Sequence, residues 1–261
     1  MDLTVLGASP AAPQPGGACS GYLLRAGHTR LLIDCGTGVL ANLLLHGGFE
    51  DLSAIVISHM HADHTLDLIP FRYLIKYGGR DRPGYEPPRI PLYLPPGGRA
   101  VLEDVVRPIL ALGGNYEAPE RFFRDVFAVV EYDPGRRLDV GDVALRFAAV
   151  EHYIPTWALI AEGDRRLAYS ADSGPTPALE AVAAGADLFL CEATLPPSAA
   201  SPGWRGHITA AEAAAVAQAA GARRLLLTHL WRSDPEQALA EARAVFAGPV
   251  DLAQEHRTYV I

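Results

Sequence analysis

Two mixed β-sheets packed face to face, with helices covering both outer faces, form the fold class this sequence predicts: a four-layer αββα sandwich of the α/β (α+β) kind. Three observations predict it. Short apolar runs of strand length recur along the whole chain. Helical segments are interspersed among them in both halves, which calls for helices on more than one face of a sheet. With 49% of the 261 residues apolar, there is enough material to bury one large interior, so residues 1–261 are expected to form a single domain.

The elements follow in chain order. Residues 3–6, 22–25 and 30–33 are apolar strands, the first two separated by a Pro/Gly loop at 8–17. The third strand ends in Asp34-Cys35-Gly36-Thr37-Gly38, a strand-to-helix turn, and a helix over 39–45 follows. Residues 54–57 form a buried strand. A helix is expected over 65–77, with Pro70 able to bend it, then a strand at 90–94 and a helix over 98–112 disturbed by Pro108. Two irregular segments, 78–91 and 113–124, are rich in Gly, Pro, Arg and aromatics and are candidates for walls over a site, a plain surface insertion being the alternative. Their Arg80, Arg82, Arg89, Arg121 and Arg124 are weak candidates for gripping a phosphate. Strands at 126–131, 143–150, 157–161 and 166–169 read as an antiparallel meander. The final third alternates a helix at 177–184, a strand at 188–191, a helix after Thr209, a strand at 225–228 and a helix at 235–246. Thr209-Ala210-Ala211-Glu212 has capping-box spacing and marks where its helix begins.

Composition removes several function classes. No apolar run reaches membrane-spanning length, and the first ten residues lack the basic and apolar regions of a signal peptide. Cys19, Cys35 and Cys191 are scattered with no CxxC pair, as expected of reduced thiols in the cytoplasm. A net charge of −8 argues against a long polyanion as the main partner without excluding one, and it leaves room for a small phosphorylated substrate, because a metal brings its own positive charge. A homodimer is an open alternative to a monomer.

The segment His59-Met60-His61-Ala62-Asp63-His64 carries the strongest chemical signal. It follows a strand, where alternation lets His59 and His61 point the same way, and a turn can then bring Asp63 and His64 in from the other side. Imidazoles with a carboxylate suit zinc, with manganese or iron as alternatives, and two ligand pairs suggest two neighbouring ions. Further ligands are sought at strand ends. His152 follows the strand 143–150, Asp172 follows 166–169, and His229 follows 225–228. Each alone has a bland reading as a surface or turn residue, but their recurrence after apolar strands favours a shared centre.

On these residues the chain resembles the hydrolases of the metallo-β-lactamase fold, whose HxHxDH signature His59 to His64 matches. The resemblance covers nearly the whole chain. It implies that His59, His61 and His152 hold one metal ion, that Asp63, His64 and His229 hold a second, and that Asp172 bridges them. Within that family, Cys191-Glu192-Ala193-Thr194 and Gly206-His207-Ile208-Thr209 resemble motifs of the ribonuclease Z-like branch, which cleaves phosphodiesters. This implies His207 as proton donor or oxyanion stabiliser, oriented by Glu192. His207 as a mere flank of the helix capped by Thr209 is the alternative. A hydroxide bridging the two ions would attack phosphorus, with Asp63 able to orient it.

The chain departs from ribonuclease Z in two places. Only a short hairpin joins His152 to Asp172 where that family carries a tRNA-gripping arm, and Ala18-Cys19-Ser20-Gly21 replaces an Arg-Asn pair. Ala171 and Ser173 also stand where Gly and Thr are more usual around the bridging Asp. The arm-less layout resembles small phosphodiesterases of this fold, so the expected activity is a metal-dependent phosphodiesterase acting on a cyclic nucleotide or another small phosphodiester. A ribonuclease Z-like RNA endonuclease and a thioester, lactone or β-lactam hydrolase are the alternatives on the same fold. Di-iron redox chemistry is disfavoured by His61, and a structural role without turnover by the intact His207. Tyr153, Trp157 and Trp231 lie close in sequence to ligands and could wall a ring, with core packing the alternative. His28, His46 and His256 read as solvated.

Overall fold

The structure, a computed structural model, describes all residues except 80, 82, 112–117, 200–202 and 232–233. Arg80, Arg82, Leu112 and part of the two irregular segments therefore lie outside the described residues.

The N-terminal half contains β1 (Asp2–Gly7), β2 (Gly21–Ala26), β3 (Thr29–Ile33), α1 (Val39–Leu45), β4 (Ala54–Val56), α2 (Ala62–Thr65), α3 (Leu68–Tyr77), β5 (Ile90–Leu94), α4 (Gly98–Ala111), α5 (Pro119–Phe122) and β6 (Phe127–Glu131). The C-terminal half contains β7 (Leu138–Val140), β8 (Val143–Val150), β9 (Thr156–Glu162), β10 (Arg166–Tyr169), α6 (Pro177–Ala183), β11 (Leu188–Glu192), α7 (Ala210–Ala219), β12 (Leu225–Thr228), α8 (Pro235–Val245), β13 (Val250–Leu252) and β14 (Thr258–Val260). One sheet runs β14-β1-β2-β3-β4-β5-β6 and the other β13-β12-β11-β10-β9-β8-β7. Both are mixed. In the first, β1, β2 and β3 pair antiparallel and β3 to β6 parallel; in the second, β7 to β10 pair antiparallel and β10 to β13 parallel.

Side-chain alternation builds the layers. Tyr22 and Leu24 of β2 face the other sheet and join Leu145, Leu159, Leu167 and Leu190 in the central core. Leu23 of the same strand faces outward, into the layer made by α1, α3 and α4. Burial on both faces explains why the inner strands read as continuous apolar runs. The second outer layer is built from alanines: Ala210, Ala213, Ala214 and Ala217 of α7 meet Ala238 and Ala242 of α8, and small side chains let these helices lie close to the sheet.

Several expectations are corrected. The helix expected over 65–77 is two helices, broken at residues 66–67, which moves Pro70 into the first turn of α3, where its missing N–H costs nothing. Pro108 does not disturb α4, because Pro108 and Asp104, whose carbonyl it frees, are both exposed to water. The strand at 126–131 is not part of the meander: β6 pairs in parallel with β5 in the first sheet. Strands β7, β13 and β14 are three-residue edge or near-edge pieces with too little apolar pattern to read from sequence.

The topology places chemistry at one end of the molecule. Asp34, His59, Asp172, Glu192 and His229 all lie at or just past the carboxyl ends of parallel strands, β3, β4, β10, β11 and β12, and such ends converge on one crevice.

Candidate metal centre

Strand β4 delivers His59 to the crevice, and the chain then turns so that His61 precedes the single turn of α2 with an extended backbone. The His61 carbonyl accepts from the His64 amide and the Thr65 hydroxyl, which closes the turn and throws Asp63 and His64 back toward His59. Ligand atoms of His59, His61, His152 and Asp172 lie within 4.8 Å of one another, and so do those of Asp63, His64, Asp172 and His229. Asp172 belongs to both clusters. All seven residues expected as ligands are therefore brought together.

The spacing within the clusters suits metal ions. His59 Nε2 and His152 Nε2 each stand 3.7 Å from Asp172 Oδ2, and His152 Nε2 is 3.0 Å from His61 Nδ1. On the other side, His64 Nε2 is 3.4 Å from Asp172 Oδ1 and 3.5 Å from Asp63 Oδ2, while His229 Nε2 is 3.2 Å from Asp63 Oδ2 and 3.5 Å from Asp172 Oδ2. A tetrahedral ion with bonds of ~2.0–2.2 Å spreads its ligands roughly 3.3–3.6 Å apart. Nε2 of His59 and of His64 are buried with no hydrogen-bond partner, which is costly for polar atoms unless a cation takes the lone pair.

Outer partners set the tautomers. Ser58 Oγ donates to Asp34 Oδ2 at 2.9 Å, so at 3.0 Å it accepts from His59 Nδ1. Thr194 Oγ1 donates to the His229 carbonyl at 2.9 Å and so accepts from His229 Nδ1 at 2.8 Å. His152 Nδ1 donates to the Gly206 carbonyl at 2.7 Å, and His64 Nδ1 to Asp34 Oδ2 at 2.8 Å. With Nδ1 committed to these partners, all four rings turn Nε2 inward, while His61 turns Nδ1 inward.

Electrostatics agrees. Burial lowers the basicity of His59, His61 and His152, leaving neutral nitrogens. Burial opposes ionisation of Asp63 and Asp172, yet the histidines around them, His229 foremost, hold both carboxyls well below the usual range. Burial likewise opposes a charge on His64, but Asp172 and Asp34 on either side outweigh it and raise its pKa well above the ordinary value. The centre is a buried carboxylate cluster that calls for positive charge.

His207 lies beside the clusters, its ring 4.9 Å from that of His152 and 5.8 Å from that of His229, centre to centre. Its Nδ1 donates to Glu192 Oε1 at 2.9 Å. Glu192 is fully buried and fixed by the Ser173 and Thr194 amides. Burial works against the His207 imidazolium, but the bond and charge of Glu192 prevail and raise its pKa. Beneath these groups opens a cleft of about 480 Å³, walled by Tyr153 on the His207 side and by Ala11 and Trp231 elsewhere. Trp157 packs against Tyr132 instead, as core. His46 and His256 bond to each other at 3.1 Å rather than standing alone.

Sequence reading missed four supports. Asp34 follows β3 and so obeys the same strand-end rule that locates Asp172, although in sequence it reads as part of the strand-to-helix turn. Thr194 stands in the Cys191–Thr194 motif, but nothing there shows it as the partner of His229, while Ser58 and the Ala11 amide, which donates to Asp63 Oδ2 at 2.7 Å, carry no signal of their own. Three strand-end residues have left-handed backbones, Asp34 (φ 58°), Ala171 (φ 50°) and His229 (φ 60°), so the chain kinks sharply where it enters the crevice. This explains why glycine would sit comfortably at position 171.

A model of the Beta-lactamase superfamily domain matches residues 29–230. An uncharacterized protein of Mycobacterium tuberculosis is 36% identical over 95% of this chain and 88% of its own length. The probable metallo-hydrolase YhfI of Bacillus subtilis is 30% identical over 97% of both chains, and its crystal structure superposes with a TM-score of 0.85 over 99% of this chain and 98% of that one, at 26% identity. A ribonuclease Z of Myxococcus xanthus is 31% identical over 97% of this chain and 95% of its own. The chain belongs to the β-lactamase superfamily as a metallo-hydrolase with the metallo-β-lactamase fold, and its His and Asp clusters are suited to binding metal ions.

Proposed function

We propose that this protein is a phosphodiesterase for small phosphodiesters, working with two divalent metal ions, zinc foremost, in the cytoplasm, where its three buried free cysteines stay reduced. His59, His61 and His152 would hold one ion, Asp63, His64 and His229 the other, with Asp172 shared. When bound, the ions supply Lewis acidity: they neutralise phosphoryl oxygens and make a water molecule acidic near neutral pH. The protein's own groups do the rest.

The observation that carries this reading is the Glu192–His207 pair beside the shared Asp172. A buried carboxylate fixed by two backbone amides holds Nδ1 of His207, so the ring has one orientation and its Nε2 is left for the substrate. Such a group donates a proton to a departing alkoxide, as cleavage of an alkyl phosphodiester requires. Asp63, held by the Ala11 amide, would orient the attacking oxygen. Phosphodiester chemistry is also consistent with a ribonuclease Z among the relatives. The connection between β9 and β10 is only residues 163–165, which supports a small substrate over an arm-gripped tRNA.

Zinc-loaded protein assayed with bis(p-nitrophenyl) phosphate, a p-nitrophenyl thioester analogue and a pre-tRNA tests the reading. Turnover of the diester above the other two is expected; preference for the thioester or the pre-tRNA would replace it by the corresponding alternative.

A further inference from the structure

A second pocket of about 400 Å³ adjoins the metal cleft, and Trp231 lines both. Its roof is the strap Ala12-Pro13-Gln14-Pro15, and its floor is formed by Leu230 and Pro235. Among the described residues, this lining carries no ionisable side chain.

The pocket is built rather than left over. Gln14 Nε2 donates to the Leu230 carbonyl at 3.0 Å, and the Gln14 amide donates to Ser9 Oγ at 3.3 Å. At the near end, the Ala8 carbonyl accepts from the His229 amide at 3.1 Å, and the Ala11 amide donates to Asp63 Oδ2. Ala11 does this from a left-handed backbone (φ 45°), an unfavourable conformation for a residue with a Cβ, in a tight turn closed by the Ala12 amide and the Pro10 carbonyl. The strap is thus anchored on two residues of the metal centre, and two prolines stiffen its far end. The indole of Trp231, 37% exposed, gives the pocket one flat aromatic wall that continues into the cleft.

Resting on the phosphodiesterase reading above, we propose that this pocket is the subsite for a neutral planar ring, an aryl group or a nucleobase, on the ester substituent that remains with the phosphorus. The two ends of the cleft differ. His207, the proton donor, packs at the Tyr153 end, its ring 5.7 Å from that of Tyr153, so the leaving group departs there. With phosphorus over Asp63, Asp172 and His229, the remaining substituent is directed toward Trp231 and under the strap. Among the described residues the lining is uncharged, with prolines and an indole, which favours a ring that stacks. Trp231 is thereby a specificity-determining residue.

The test uses the full chain loaded with zinc and two chromogenic diesters that release the same phenol, p-nitrophenyl phenyl phosphate and p-nitrophenyl methyl phosphate. Stacking on an aromatic wall is expected to favour the phenyl ester on the order of tenfold in kcat/KM, mainly through KM. Trp231→Ala should collapse that ratio toward the one seen without enzyme, and Trp231→Phe should keep most of it. A ratio unchanged in Trp231→Ala, or equal losses on both esters in both variants, would overturn the subsite. If the wild-type protein cleaves neither ester, the phosphodiesterase reading fails, and calorimetric titration with thymidine then decides the subsite alone. Thymidine binding that Trp231→Ala abolishes and Trp231→Phe retains would uphold it; no binding, or equal binding by all three proteins, would overturn it.

Discussion

Asp34 Oδ2 lies 2.8 Å from His64 Nδ1, so a carboxylate at the end of one strand fixes the ring of a candidate ligand thirty residues further on. The same carboxylate accepts from the Ser58 amide and hydroxyl and from the Tyr169 hydroxyl of the opposite sheet. One buried side chain therefore ties the two sheets together and sets the direction of two imidazoles, His64 directly and His59 through Ser58.

Asp34→Asn is expected to weaken metal binding by about 10–100-fold, because the amide removes the charge that favours an inward Nε2 on His64. Zinc titration against a chromophoric chelator measures it. Affinity equal to wild type would show that His64 needs no such partner.

His207→Ala should lower turnover of a diester with an alkoxide leaving group, such as a 3′,5′-cyclic nucleotide, about a hundredfold, and that of bis(p-nitrophenyl) phosphate far less, while zinc content stays at the wild-type level. Adding Glu192→Gln to that variant should cost little more, since Glu192 acts through the missing ring. Additive losses would give Glu192 a separate role.

Metal removal should destabilise the protein. Without cations, the buried Asp63 and Asp172 depend on surrounding histidines that also crowd one another. Scanning calorimetry of chelated protein, with zinc restored to about a thousandfold above Kd, should recover about 4 kcal/mol per site. An identical melting curve with and without zinc would show that the clusters do not bind it.

Glu212 links acid stability to the helix that follows His207. Burial opposes its ionisation, but Arg205 and the Thr209 amide and hydroxyl prevail and hold its carboxyl below the ordinary 4.5. A depressed folded pKa contributes stability above the unfolded value, and that contribution is lost as pH falls through the folded one. The melting-temperature gap between wild type and Glu212→Gln should thus be widest at neutral pH and close below pH 4.5. Thr209→Ala, which opens the capping box, should cost about 1 kcal/mol in denaturant titration.

Local pattern made much of this protein legible. His59 to His64 is contiguous, and His152, Asp172 and His229 each follow an apolar run, so strand alternation and strand ends were enough to pick out the candidate ligands that the structure brings together. The capping box at Thr209 is likewise local, and the structure forms it. Edge strands β7, β13 and β14 escaped because three residues are too few to show a period. The position of β6 escaped because a strand's own residues do not say which neighbour it pairs with.

What the sequence by itself determined was the layered αββα class and which residues are the candidate ligands, both consequences of short-range periodicity. Only the tertiary structure decided that Asp172 belongs to both clusters, that Asp34 orients His64, and that the strap at Ala11 reaches Asp63, fifty-two residues away in the chain. The reason is physical. These contacts join the ends of strands from two sheets, and their geometry is set by strand order and register, which depend on the packing of the whole core rather than on any stretch of neighbouring residues.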